Sequence, residues 1–301
     1  MKTRFLRVAL LLTLLLIPQA LHAQKSLVVA TVNGEKIDKN QLHLYLLIQG
    51  IPEKSWSDFE KPQLEQLIDR TIMRQFLKSR NFTAPQSKLD HQLARIEKVL
   101  QNVESPEELL KQLGMTRKDL EQELSVSLAW KRYVREITKE EEIAEYFEKH
   151  RSELDGTQRQ ARQIFLKLPQ DATDSQITSA IKELAKLKQR IERKEFSFQE
   201  AARNHSQSPS REQGGDLGTF AFTGQMPVDI ARAVFQTEVG QMSKPFSSKY
   251  GVHMIYVDRE IPGLFSLEDA RPEILSYLID SKWHQKVKRL RKSARISYGA
   301  K

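Results

Sequence analysis

Three short segments in the second half of this 301-residue chain constrain its fold most strongly. The first reads GGDLGTF over residues 214–220, the second reads GQM over residues 224–226, and the third reads YGVHMI over residues 250–255. A lone Gly-Gly pair would indicate only a turn. The three segments, with Pro245 and Phe246 between the last two, predict a tight turn, a helix start and a final strand in that order.

The order and spacing of these segments resemble the parvulin family of peptidyl-prolyl cis-trans isomerases, also called the PpiC or rotamase type. The resemblance implies a parvulin domain over residues 158–260, in which a small antiparallel sheet is surrounded by helices. It implies rotation of the bond before proline as the activity, with no cofactor and no metal ion. The whole chain is therefore expected to be an α+β protein.

The first residues of the chain are typical of a secretory signal peptide. Lys2, Arg4 and Arg7 precede an apolar run over residues 8–17, and residues 20–23 read ALHA. We expect cleavage after Ala23, hence a signal peptide over residues 1–23 and a periplasmic mature protein. The apolar run is shorter than the ~20 residues of a spanning helix, so no stable membrane anchor is expected.

Composition excludes several kinds of chemistry. The chain contains no cysteine, which rules out disulfides, thiolate nucleophiles and cysteine metal sites. The patterns HExxH, GxxxxGK[ST] and GxSxG are missing, so zinc hydrolysis, P-loop phosphate binding and a nucleophile elbow lack support. The histidines other than His253 show no spacing typical of metal ligands.

The mature chain begins with a predicted hairpin. A β-branched run leads to the turn pair Asn33-Gly34, and Asp38 is placed to cap the following helix. Residues 29–37 (VATVNGEKI) resemble the start of the exported SurA-type and PrsA-type chaperones. The resemblance implies a helical chaperone domain over residues 24–154, and a C-terminal helix over residues 264–301 that packs on it.

Further helices and strands are predicted from periodicity and caps. Ser105 and Thr116 are placed to cap helices, and Gly114 to end one. Alternation predicts a strand over residues 161–168, with Gln163 and Phe165 on one face and Ile164 and Leu166 on the other. We predict a loop over residues 206–218, a helix over residues 226–235, and a domain boundary near residues 154–156.

Three apolar residues match the pocket positions of parvulins, namely Leu217, Met226 and Ile230. Each taken alone is better explained as a core residue. Beside the intact GGDLG and GQM segments, their resemblance implies that they bind the prolyl ring. The last position is usually Phe in the family, and Ile230 offers no aromatic face to proline.

The polar positions of the candidate site are His253, Ser208, Gln163 and Ser248. His253 matches the histidine of the last strand, and the resemblance implies a hydrogen-bond network around it. Ser208 stands where relatives have Cys or Asp, and its hydroxyl is expected to bond to the substrate or to His253; a turn hydroxyl is an equal alternative. Ser248 matches a hydroxyl position. Gln163 replaces a usual histidine, which halves the titratable network and favours weak catalysis.

Three functional hypotheses remain open from the sequence. The first is an exported isomerase and chaperone whose partners are unfolded exported polypeptides, including outer-membrane β-barrel precursors. The second is a holdase whose parvulin domain only binds peptide. The third rests on a basic C-terminal stretch that could contact nucleic acid or anionic lipid, although a solvated helix face explains it more simply and export disfavours nucleic acid. Its cations are Lys282, Lys286, Lys288, Arg289, Arg291, Lys292 and Arg295.

Overall fold

The computed structural model describes residues 27–100 and 106–299, which form two compact units. The first contains the described residues up to Thr138 and those from Tyr277 onward, and the second contains Lys139–Ser276. Both contain helices and β-strands, so the predicted α+β class is confirmed. The predicted signal peptide and the predicted cap at Ser105 lie outside the described residues.

The helices and strands follow one another along the chain with short connections. In order they are β1 (Val28–Val32), β2 (Glu35–Asp38), α1 (Lys39–Ile48), α2 (Trp56–Ser79), α3 (Gln86–Leu100), α4 (Pro106–Gln112), α5 (Arg117–Ile137), α6 (Glu140–Lys149), α7 (Arg151–Leu154), β3 (Gln158–Lys167), α8 (Asp174–Glu192), α9 (Phe198–His205), β4 (Asp216–Ala221), α10 (Val228–Gln236), β5 (Phe246–Ser248), β6 (Gly251–Ile261), α11 (Leu267–Arg291) and β7 (Ile296–Tyr298). Short 3₁₀ turns occupy Glu53–Ser55 and Arg211–Gln213.

The first unit combines a small sheet with helices. Strands β1 and β2 form the predicted hairpin, and its turn residues Asn33 and Gly34 both have positive φ, 51° and 89°. Strand β7 pairs with the other edge of β1, which gives the described sheet the order β2-β1-β7. The sequence did not predict β7, because three residues that pair only with a distant strand carry no local pattern.

Capping residues fix the helix starts in this unit as predicted. The Asp38 carboxylate accepts from Gln41 N at the start of α1, and Thr116 with Asp119 forms a capping box at the start of α5. The C-terminal helix α11 joins this packing through tryptophan contacts. Trp130 Nε1 donates to Ile279 O at 2.9 Å, and the Trp130 and Trp283 rings lie 5.6 Å apart.

The second unit is built on an antiparallel sheet of order β4-β3-β6-β5. Two predicted boundaries are corrected here. The loop predicted to reach Gly218 ends earlier, because residues from Asp216 onward pair with β3. Helix α10 begins at Val228 instead of Met226, because Pro227 has an extended ψ of 140° and disfavours helical backbone at the residue before it.

The two central strands, β3 and β6, bury different residues on their two faces. One face, which includes Ile164 and Met254, packs against α8 and α9. The other face, which includes Ala161, Ile255 and Val257, packs against α10. Gln163 and His253 lie on this second face, since side chains alternate along each strand.

The division between the units differs from the boundaries near residues 155 and 264 that the sequence suggested. Helices α6 and α7 and the start of α11 belong to the second unit, in which polar contacts join these segments to one another. Arg271 forms an ion pair with Glu140 at 2.8 Å, and Phe265 N donates to Asp155 O at 2.8 Å.

None of the helices within residues 27–100 and 106–299 combines the length and apolar character that crossing a bilayer requires.

Candidate active site

The glycine turn at residues 214–218 is anchored directly on β3. Gln163 N donates to Gly215 O at 2.8 Å, and Gly215 has φ of +82°. A Cβ at Gly215 would lie 2.3 Å from the Gln163 carbonyl oxygen, so only glycine allows this approach. The turn thereby fixes the position of Gln163.

His253 lies at the centre of the face of the sheet that carries Gln163. It pairs across the sheet with Phe165 of β3 and with Phe246 of β5. Both rings stack on the imidazole, with centroid distances of 4.7 Å for Phe165 and 5.4 Å for Phe246. The residue is only 4% exposed. The ring is therefore held in one orientation between two aromatic neighbours.

A continuous chain of hydrogen bonds runs through His253. Its Nε2 lies 2.8 Å from Ser248 Oγ, and its Nδ1 lies 3.2 Å from Gln163 Oε1. Gln163 Nε2 in turn donates to Ser208 Oγ at 2.9 Å. Because an amide oxygen can only accept, Nδ1 carries the imidazole proton and Nε2 accepts from the Ser248 hydroxyl. We call these four residues the polar chain.

The hydroxyl of Ser208 is fully engaged within the protein. It accepts from Gln163 Nε2, lies 3.1 Å from Ser210 Oγ, and accepts from Ser210 N at 3.3 Å. Ser208 is 5% exposed. A direct bond to His253 was one of the alternatives for Ser208, and in its place Gln163 links the two residues.

Burial controls the charge of the imidazole. Loss of hydration lowers the pKa of His253 to about 4, and the nearby negative charge of Asp229 only partly opposes this shift. At neutral pH the ring is uncharged. It can therefore orient hydrogen bonds but contributes no positive charge.

The three predicted apolar residues meet in one cluster beside the polar chain. Ile230 is buried at 5% exposure, whereas Leu217 and Met226 are half-buried. Two half-buried aromatic rings complete the cluster, Phe222 and Phe246. We call these five residues the apolar notch. Phe246 belongs to the notch and also stacks on His253, so it joins the apolar and polar parts.

Arg159 fixes the helix that supplies Ile230 to the notch. Its Nη1 donates to the carbonyl oxygens of Val234, Phe235 and Thr237, at 2.8, 3.0 and 2.8 Å. These carbonyls lie at the C-terminal end of α10, where backbone acceptors have no partner within the helix. Glu260 of β6 holds the same guanidinium at 2.6 Å. Helix α10 is thereby tied to the central strands.

A separate cleft lies on the opposite face of β3 and β6. Its volume is about 640 Å³, and Arg162, Phe198 and Tyr256 are among its lining residues. It contains none of the predicted site residues. The polar chain and the apolar notch combine buried residues, His253, Ser208 and Ile230, with half-buried ones.

The structure brings together all seven predicted site residues, although their catalytic and binding roles stay predictions. Sequence reasoning missed Ser210, Phe222 and the stacking role of Phe165 and Phe246. The alternation that placed Gln163 on one face also placed Phe165 there, so that stacking was accessible to sequence reasoning. Ser210 and Phe222 lie in loops, where no periodic pattern indicates direction.

Comparison with known proteins agrees with this arrangement. Residues 164–259 match the family model of the PPIC-type PPIase domain, called Rotamase. A Helicobacter pylori protein provisionally named a peptidyl-prolyl cis-trans isomerase is 26% identical over 283 residues, which cover 89% of this chain and 84% of that protein.

Two further relatives match mainly over part of their length. The chaperone SurA of Albidiferax ferrireducens is 32% identical over 126 residues, which cover 42% of this chain and 27% of SurA. The foldase PrsA of Bacillus subtilis is 32% identical over 108 residues, which cover 36% of each protein. The predicted resemblance to both groups is thus confirmed. Residues 164–259 thus form a PPIC-type peptidyl-prolyl isomerase domain, and the chain that contains them is SurA/PrsA-like.

Proposed function

We propose that this protein is an exported, periplasmic isomerase and chaperone, and that the apolar notch binds the prolyl ring while the polar chain acts on the adjoining amide. The observation that carries the proposal is the contact at Phe246, which joins a notch of suitable chemistry to a fully connected hydrogen-bond chain. No bond to carbon has to form or break. The catalyst has to lower a rotational barrier of ~18–20 kcal/mol.

The polar chain is suited to stabilise a twisted amide without transferring a proton. Rotation breaks amide resonance and changes the charge on the carbonyl oxygen and the prolyl nitrogen, so fixed hydrogen-bonding groups can favour the twisted state. Ser248 and Gln163 are half-buried, whereas His253 and Ser208 are buried. Ser248 and Gln163 are therefore the members that reach a bound peptide, and His253 positions them.

The isomerase proposal is tested by refolding of a substrate protein whose rate is limited by a prolyl bond. We expect the wild-type chain to accelerate refolding, and His253→Ala to lower kcat/KM about 30-fold, because charge-neutral buried hydrogen bonds contribute about 1 kcal/mol each and two are lost. His205→Ala, an exposed histidine in the same unit, is the matched control. Equal acceleration by His253→Ala would contradict the assigned role.

A holdase without turnover is the second candidate, and one observation favours it. Both imidazole nitrogens and the Ser208 hydroxyl are engaged within the protein, and Gln163 does not titrate. In that case the wild type would not accelerate refolding. A proline-containing peptide would still perturb NMR signals of notch residues, and Leu217→Asp would abolish that perturbation.

The clients we propose are unfolded exported polypeptides, including outer-membrane β-barrel precursors. Support comes from the N-terminal sequence pattern and from the names of the relatives, a chaperone and a foldase. We expect a variant lacking residues 158–260 to retain most suppression of β-barrel precursor aggregation. Complete loss of suppression would contradict a helical client-binding region. Cell fractionation of the full chain tests the periplasmic location.

A further inference from the structure

A small cavity in the first unit is lined by several positively charged side chains. These residues are distant in the sequence from those of the polar chain. The volume of the cavity is about 250 Å³, and it is lined by Phe76, Ser79, Arg80, Lys286, Arg289 and Leu290. Pockets for drug-sized ligands are larger, about 300–1,000 Å³. The cavity therefore suits a small ionic group, either free or at the end of a longer molecule.

Two of the cations share one aromatic ring. Lys286 Nζ lies 4.7 Å from the centroid of Phe76, and Arg80 Cζ lies 6.0 Å from the same centroid. Cation–π contact holds both side chains over the cavity. Burial lowers the pKa of Lys286, and the positive charges of Arg289 and Arg80 lower it further. The three cations are close enough to repel one another.

No carboxylate compensates this charge in the described part of the chain. Among residues 27–100 and 106–299, no ion pair joins Arg80, Lys286 or Arg289 to an acidic side chain. Arg291, which lies in the same last turns of α11, behaves differently, because Glu65 and Asp69 hold it at 2.5 and 2.6 Å. The carboxylates of this region are thus directed to Arg291, outside the cavity lining.

The ends of two helices compensate only part of the charge. Arg80 caps the C-terminal end of α2, and Arg289 lies in the last turn of α11. A helix C-terminus carries a partial charge of about −0.5, so two of them offset about one of three positive charges. An excess of about two positive charges remains, which matches a dianion better than a carboxylate with its single charge.

We propose that the cavity formed by Phe76, Ser79, Arg80, Lys286, Arg289 and Leu290 is a binding site for a phosphate group. Two guanidinium groups can bind phosphate oxygens in a bidentate manner, and the ammonium of Lys286 adds a third charged donor. Phosphate could come from a soluble phosphate monoester or from the phosphomonoester headgroup of phosphatidic acid, which share this chemistry. The proposal is independent of the isomerase activity.

Titration of the full chain with inorganic phosphate, followed by calorimetry, tests the site. We expect saturable binding by the wild type and a dissociation constant about tenfold or more higher for the double variant Lys286→Gln/Arg289→Gln, because charge-assisted hydrogen bonds are lost. Arg289→Gln alone, at an exposed position, should give a smaller increase in the dissociation constant. It keeps the test valid if the double variant does not fold. Lys288→Gln changes the same charge on the same helix outside the cavity.

The outcomes separate clearly. Equal weakening by Lys288→Gln, or no saturable binding of millimolar phosphate by the wild type, would overturn the proposal. Flotation with vesicles identifies the source of the bound phosphate group. Binding to phosphatidic acid vesicles but not to phosphatidylcholine vesicles, lost in the double variant, indicates a lipid headgroup. Phosphate binding without vesicle binding indicates a soluble phosphate ester.

Discussion

The two faces of strands β3 and β6 differ in chemistry, although the residues that form them are adjacent in the sequence. Ile164 and Met254 are fully buried in hydrocarbon against α8 and α9. Gln163 and His253, one position earlier on each strand, place a polar chain on the opposite face. Burying polar groups costs free energy unless each is hydrogen-bonded. The first face therefore stabilises the sheet, and the second retains polar groups that packing alone would not select.

The largest effect is expected on the hydrocarbon face. Ile164→Ala should lower the free energy of unfolding of the second unit by about 2–5 kcal/mol, because it leaves a cavity among fully buried neighbours. Hydrogen exchange measured by mass spectrometry on peptides from β3 and β6 reports this unit separately. Ile261→Ala, at an exposed position of β6, should change exchange little. Similar protection in Ile164→Ala and the wild type would show that this face does not dominate stability.

A pH-dependent effect is expected on the polar face. The folded-state pKa of His253 is about 4 against 6.5 for a free histidine, so the unfolded chain binds more protons between these values. Stability should be unaffected above pH 6.5 and should fall as the pH drops toward 4, by up to about 3 kcal/mol in total. His253→Gln should remove this dependence, measured as the difference between the two pH profiles. Parallel profiles would contradict a neutral buried imidazole.

A smaller effect should follow from changing the partner of the imidazole. Gln163→Glu places a carboxylate beside His253 Nδ1, which favours the charged ring and should raise the pKa of His253 by about one unit or more. NMR titration of the ring protons measures it. Gln163→Leu, of similar size but without charge, should not raise the pKa. An unchanged value in Gln163→Glu would mean that the two side chains do not remain in contact.

The smallest effect is expected at the edge of the polar chain. Ser248→Ala removes the donor to His253 Nε2, but Ser248 is half-buried, so water can take the place of its hydroxyl. We expect a loss of about 1 kcal/mol or less in stability. A loss as large as that of Ile164→Ala would show that the two faces do not differ as described. Denaturant unfolding followed by the same exchange peptides measures it.

Much of the site was predictable because its residues belong to local patterns. The GGDLG turn requires glycine at Gly215 for a steric reason, and strand alternation separates Gln163 and His253 from their apolar neighbours. The hydrogen bonds that link the site residues were harder to predict from the sequence. That Gln163 links His253 to Ser208 depends on the register between β3 and β6, and on how the loop at residues 206–215 folds over β3.

Most of the parts that sequence reasoning missed depend on distant partners. Strand β7 exists only because β1 offers a free edge. The start of α10 is an exception, because it is set locally by Pro227, which directly follows Met226 and overrides the apolar spacing there. The sequence alone indicates that Arg159 is a surface cation. Only the fold brings three carbonyl oxygens to its guanidinium.

The attachment of α10 through Arg159 restricts which part of the notch can move to admit the proposed peptide ligand. Because one guanidinium is bonded to the end of the helix and to Glu260, the helix cannot swing outward unless those bonds break together. The exposed residues 223–225, with Gly224 at φ of +95°, have no such restraint. If the proposed peptide binding requires the notch to widen, the movement has to come from this loop and not from α10, and stiffening the loop would then slow binding without altering the geometry around the imidazole.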